Sequence, residues 1–235
     1  MCHGLLAVRD AEGIVCPVCR HRWRPVRPPW CERCGQPEPH FGPCRLCADW
    51  PPNLRAVRSA VWLADGARAA VHALKYGGLP RIADDLAAAM PSIARPTDDS
   101  SVLVPIPLAP KRLRERGYNQ SEALAAALGR RWGVPVARDV LARVRETATQ
   151  TALTPETRLA NVAGAFAMRN AKCGMRNEHG GVDSAFPIPH STLILVDDVF
   201  TTGATLAEAA RALQQAGAHT VFGVTFGRAI IPDFT

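Results

Sequence analysis

Two adjacent carboxylates and a cluster of hydroxyls converge in one short stretch of this chain, Leu193-Ile-Leu-Val-Asp-Asp-Val-Phe-Thr-Thr-Gly-Ala-Thr205. Leu193 to Val196 is aliphatic without polar alternation, the pattern of a strand buried on both faces of a parallel sheet. Asp197 and Asp198 close that strand at the edge where open α/β sheets place their ligands. Thr201, Thr202, Gly203, Ala204 and Thr205 follow as a turn. Its small residues let backbone N–H groups converge on an anion, and its hydroxyls add donors. Two carboxylates beside donors that suit an anion make most sense if the ligand brings hydroxyls or a metal for the acids to hold. The bland alternative is a strand–turn–helix whose acid merely caps the helix. Capping needs one such residue, not two acids followed by Thr-Thr-Gly-x-Thr. No Gly-Lys-Ser/Thr makes this a Walker loop, and the glycine spacing is not a dinucleotide fingerprint.

The stretch closely resembles the phosphoribosyl-pyrophosphate (PRPP) signature of type I phosphoribosyltransferases. The resemblance implies that Asp197 and Asp198, as the catalytic pair, hold the ribose hydroxyls. It implies that Thr201, Thr202, Gly203, Ala204 and Thr205 wrap the 5′-phosphate, and that Mg²⁺ accompanies PRPP.

A second polar cluster follows the apolar run Val102–Ile106. Lys111, Arg112, Arg114 and Arg116 crowd a short span that reads as a loop. A charge run is often only a solvated face. Its place after a buried strand, on the same sheet edge as the acids, points to a second anion site for pyrophosphate. Asn119 and Gln120 would order this loop against the next helix. Arg143, Arg145, Gln150, Arg158 and Asn161 are polar groups with no obvious core role; plain surface is the alternative for each.

The third chemical feature is thiol. Seven of eight cysteines precede residue 48, as Cys2 and the pairs Cys16/Cys19, Cys31/Cys34 and Cys44/Cys47. Paired C-x-x-C knuckles without a thioredoxin-like pattern indicate zinc. Cys31, Cys34, Cys44 and Cys47 make the complete set. Cys2, Cys16 and Cys19 make an incomplete one, for which His3 is a candidate fourth ligand. Cys173 stands alone in a polar loop. With few apolar residues the head folds because metal binds. Arg20, Arg22, Trp23, Arg24, Arg27 and Trp30 interleave base and aromatic as single-strand nucleic-acid surfaces do; structural stapling to the next domain is the plainer role.

These groups need a scaffold. The 235 residues suit one α/β domain plus a small appendage. Residues 1–52 read as the zinc-ribbon domain and 53–235 as a parallel sheet flanked by helices, with Pro51-Pro52-Asn53 as linker. Strands are expected at Ala56–Leu63, Val102–Ile106, Leu193–Val196 and His219–Phe226. Helices are expected at Gly66–Tyr76, Pro80–Met90, Ser121–Trp132 and Ala204–Ala216, the last stopped by Gly217, and one starts at Thr154-Pro155. Residues 170–190 read as a loop. Apolar content of 47% against 21% charged excludes disorder. No apolar run is long enough to span a membrane and no signal peptide is evident, so a cytoplasmic protein is expected. The net charge of +7, nearly all from arginine, suits nucleotides, PRPP or nucleic acid, although an arginine-rich codon bias would produce it too.

In order, the chain presents zinc knuckles, His72-Ala-Leu-Lys75-Tyr-Gly-Gly, Val104-Pro-Ile-Pro107, Arg116-Gly-Tyr-Asn-Gln120, Gln150, Arg158, Asn161-Val-Ala-Gly-Ala-Phe166 and the acidic signature. This resembles the ComF family, phosphoribosyltransferase-like proteins with an N-terminal double zinc ribbon. The truncated first knuckle departs from that pattern. The resemblance implies a role in natural competence, with passage of single-stranded DNA and a helicase-like partner. It makes Lys75, Tyr118, Asn119, Gln120, Gln150 and Arg158 candidates for contact with substrate or DNA. Active phosphoribosyl transfer to a base or amine is one alternative, and a zinc-ribbon adaptor recruiting the helicase-like protein is another.

Overall fold

The computed structural model describes residues 13–37, 43–90, 100–145, 162–169, 174–176, 182–185 and 191–230. Gln150, Arg158, Asn161, Cys2, His3, Cys173 and the helix start at Thr154 lie outside them. Strand β1 (Leu54–Trp62) leads to helices α2 (Asp65–Tyr76) and α3 (Ile82–Ala89), after a short α1 (Pro17–His21) in the cysteine-bearing head. Strand β2 (Ser101–Pro105), α4 (Pro110–Arg116) and α5 (Gln120–Trp132) follow. Two antiparallel ribbons, β3 (Leu141–Arg143) with β4 (Phe166–Met168) and β5 (Gly174–Arg176) with β6 (Val182–Ala185), precede β7 (Thr192–Phe200), α6 (Ala204–Gln215) and β8 (Thr220–Arg228).

The main sheet is parallel in the order β1-β8-β7-β2, so the expected α/β class holds. Leu193, Leu195 and Val221 face one apolar layer with α6, while Ile194, Val196 and Val224 face another with α2, α3 and α5. Both faces are covered, which is why Leu193–Val196 lacks alternation.

Several expectations change. β7 runs on through both acids to Phe200, because β8 pairs with it as far as Phe200↔Arg228. On its other side β2 stops at Pro105↔Val196. The last four residues of β7 therefore have no β2 neighbour, and that missing neighbour opens the sheet beside Asp197. The basic run is a helix, α4, ended by Gly117 in the left-handed region (φ 80°), rather than a loop. Part of the expected 170–190 loop is the β5–β6 ribbon.

The expected linker is an anchor. Asn53 is buried, and its Nδ2 donates to Ala210 O at 2.9 Å and Ala218 O at 3.2 Å. The head also extends the sheet. Trp62 N donates to Arg24 O (2.8 Å), Val26 N to Ala60 O (3.0 Å) and Val57 N to Arg33 O (2.7 Å), so residues 24–33 line the β1 edge. This covers the unpaired groups an edge strand would expose.

Candidate sugar-phosphate cavity and thiol centre

Asp197 and Asp198 project from the unaccompanied end of β7 into a cavity of about 370 Å³. Thr201, Gly203, Ala204 and Thr205 form the wall on one side, Lys75 of α2 another, and Arg112 and Arg116 of α4 a third; Gln120 of α5 also lines it. Gly203 caps α6 with φ 78°. A Cβ there would lie 2.3 Å from Trp50 Cζ2 and 2.9 Å from Phe200, so the turn requires glycine for backbone and for space. Thr202 is buried, and its Oγ1 accepts from Ala204 N at 3.4 Å.

The two acids play unequal parts. Asp198 is buried and pairs with Lys75 Nζ at 2.6 Å. Asp197 Oδ1 accepts from Ser121 Oγ at 3.0 Å and from the Asp198 amide at 2.9 Å. Burial, and then the neighbouring Asp198 charge, push Asp197 up to about 7, against the pull of Lys75. Burial works against the Lys75 ammonium, but the charge and hydrogen bond of Asp198, with Asp197 behind, outweigh it and raise its pKa. Paired groups with displaced titration mark functional sites more often than bare surface.

The remaining candidates divide cleanly. Lys111 and Arg114 are exposed on α4 and do not line the cavity. Tyr118 donates its hydroxyl to Leu74 O and so ties the turn between α4 and α5 to α2. Asn119 is buried, caps α5 by accepting from Ser121 N (3.0 Å) and donates to Ile106 O (3.0 Å). Arg116 donates to Gln120 Oε1 and lies 5.0 Å over the Tyr76 ring. Tyr118 and Asn119 thus position the cavity walls without lining them.

The cavity also contains Arg68, His72, Tyr76 and Arg143, which sequence reasoning did not place there. Arg68, His72, Lys75 and Tyr76 fall at i, i+4, i+7 and i+8, a polar stripe of α2 that periodicity could have shown. Arg143 arrives on β3, stacked 5.3 Å from Phe166. Burial, and then the nearby Arg112, lower its pKa.

In the head, Cys31, Cys34, Cys44 and Cys47 bring four sulfurs within 4.8 Å of one another. The Cys31–Cys47 and Cys34–Cys44 separations, 3.8 and 3.5 Å, match the roughly 3.8 Å edge of a tetrahedral zinc tetrathiolate. The donor set therefore fits a structural metal of zinc type. Hydrogen bonding from Cys47 and burial push Cys34 up, and burial with the Cys34 charge pushes Cys44 up to about 11. A metal must displace those protons. Cys16 and Cys19 sit apart, where Cys16 caps α1 by accepting from Cys19 N at 3.4 Å. Trp23 is core, edge-on to Phe226 at 4.9 Å, and so is no stacking platform. Trp30 is half-buried beneath Arg58.

A parallel α/β domain of phosphoribosyltransferase type, joined to a four-cysteine head, is the class these features define. No family model matches the chain. It is 32% identical over 216 residues to DNA utilization protein YhgH of Salmonella typhi, covering 88% of this chain and 87% of that one. It is 34% identical over 119 residues to competence protein F of Haemophilus influenzae, covering 51% and 46%. It is 29% identical over 211 residues to competence protein ComFC of Bacillus subtilis, covering 86% and 79%. The chain belongs to the ComF family of DNA utilization and competence proteins.

Proposed function

We propose that this chain acts in DNA utilization or competence, handling single-stranded DNA in the cytoplasm, and that its cavity binds a sugar phosphate such as PRPP or ribose-5-phosphate. The carrying observation is the single cavity that sets Asp197 and the Thr201–Thr205 turn opposite Arg112 and Arg116. The relatives' names support the DNA role. In this reading the turn donates to the 5′-phosphate, Asp197 and Asp198 accept from sugar hydroxyls, and the α4 arginines neutralise a pyrophosphate. Asp198 is already paired with Lys75, so Mg²⁺ would be held by the pyrophosphate oxygens rather than by that carboxylate. Calorimetric titration with PRPP tests the reading. The Asp197→Asn/Asp198→Asn variant is expected to lose at least about tenfold in affinity. Undiminished binding by that variant would refute the site.

The arginine pair favours a second reading, phosphoribosyl transfer. Attack at C1′ would then leave pyrophosphate to Arg112 and Arg116, with positioning and charge stabilisation supplying the rate. Pyrophosphate release in the presence of candidate bases decides it. In both readings the zinc-type head is the candidate for recruiting a helicase-like partner, and removal of residues 1–52 would test that role by partner binding.

A further inference from the structure

We infer that the cavity takes the 3′-terminal nucleotide of a DNA single strand. The inference rests on the sugar-phosphate reading and follows from counting functional groups. Lys75 holds Asp198 Oδ2 at 2.6 Å. Ser121 Oγ and the Asp198 amide occupy Asp197 Oδ1. Among the described residues no side chain donates to Asp197 Oδ2, which remains as an acceptor for the ligand beside an anion-binding turn. The site therefore asks for a sugar with phosphate on its 5′ oxygen and a free hydroxyl to donate to Asp197. In a DNA strand only the 3′-terminal nucleotide has both. An interior nucleotide has its 3′ oxygen in a diester, and so has a 5′-phosphorylated end.

The surroundings suit a strand better than a lone sugar phosphate. Arg112 and Arg116 enter the cavity, while Lys111 and Arg114 of the same helix remain exposed outside it. Exposed Arg68 extends the basic wall on α2. Cations that continue from pocket to surface track a phosphate backbone. Tyr76, 67% exposed in the cavity wall, carries Arg116 at 5.0 Å and His72 at 5.0 Å from its ring. That is a platform on which a base can stack.

Anisotropy with short oligonucleotides tests this on the full chain. A strand ending in a 3′-hydroxyl is expected to bind about tenfold tighter than the same strand ending in a 3′-phosphate. Ribose-5-phosphate should displace it to the level of the blocked strand or of a circle. Asp197→Asn should erase the difference between ends and leave the weaker, salt-sensitive binding. Equal binding of both ends, with ribose-5-phosphate still bound, would overturn the inference and spare the sugar-phosphate reading. Absent ribose-5-phosphate binding would instead remove that reading. A ribonucleotide end binding tenfold tighter than the deoxy end would overturn the assignment to DNA.

Discussion

Arg228, the last residue of β8, donates through Nη1 to the backbone carbonyl of Cys34 at 2.9 Å. Its Nη2 donates to Gln36 Oε1 at 2.7 Å, and its guanidinium lies 4.3 Å over the Phe200 ring. The thiol centre is thus joined through one buried cation to the residue just before the Thr201–Thr205 turn. No carboxylate pairs with Arg228 among the described residues, and burial, foremost, lowers its pKa while the Cys34 side opposes this. A zinc tetrathiolate carries about two net negative charges and would supply the missing counter-charge. Arg228→Met is therefore expected to cost about 3 kcal/mol in metal-loaded protein and clearly less after chelation. Urea denaturation with and without chelator measures both, and equal costs would show that the thiol centre and Arg228 are not coupled.

Trp50 makes a second link, with its ring edge-on to Phe200 at 6.1 Å and against Gly203. Gly203→Ala meets three obstacles, a left-handed backbone worth about 1 kcal/mol, a clash with the indole and a close approach to the Phe200 ring. In a Trp50→Ala background the indole clash should vanish, leaving the backbone cost and the close approach to Phe200. A double-mutant cycle should show a coupling of about 1 kcal/mol or more, and strict additivity would rule out the contact.

The acidic signature, the parallel sheet and the four-thiol set were legible because each is local: a run, a spacing or a pair of knuckles. Register was not. That β2 stops at Pro105 while β7 continues to Phe200 depends on pairing between segments about ninety residues apart. It decides that Asp197 faces a cavity. Nor did charge density separate Arg112 and Arg116 from Lys111 and Arg114; helical geometry turns the second pair outward once α4 is a helix. Lys75 was visible only as a motif residue, and its pairing with Asp198 is a long-range fact. Trp23 stayed open between two roles because a tryptophan among arginines looks the same on a surface as over a core, and Phe226, which holds it, is distant in sequence.

Asp197 makes stability depend on pH. Its folded pKa of about 7 exceeds the ordinary carboxylate value, so its contribution is fully present at acid pH and is lost as pH rises through 7. Asp197→Asn should therefore stabilise the fold more at pH 8 than at pH 4.5. The difference should be about 2 kcal/mol, after allowing for solvent reaching the group through the cavity. Chemical denaturation at the two pH values measures it, and a gain independent of pH would contradict the burial argument.

Lys75 is expected to be the stabilising member of the acidic cluster. Its ammonium sits 2.6 Å from Asp198 and also lowers the pKa of Asp197. Lys75→Met keeps most of the side-chain volume but leaves two close carboxylates without their cation, at a cost of about 2 kcal/mol at pH 8. At pH 5 the loss should shrink, because Asp197, whose pKa is about 7, is already protonated there and only Asp198 loses its cation. Adding Asp198→Asn should recover most of the loss, since the amide needs no counter-charge and a single carboxylate remains. The double-mutant cycle at pH 8 and pH 5 reads this directly. A Lys75→Met cost that stayed constant with pH, and was unaffected by Asp198→Asn, would mean that the lysine acts through packing alone.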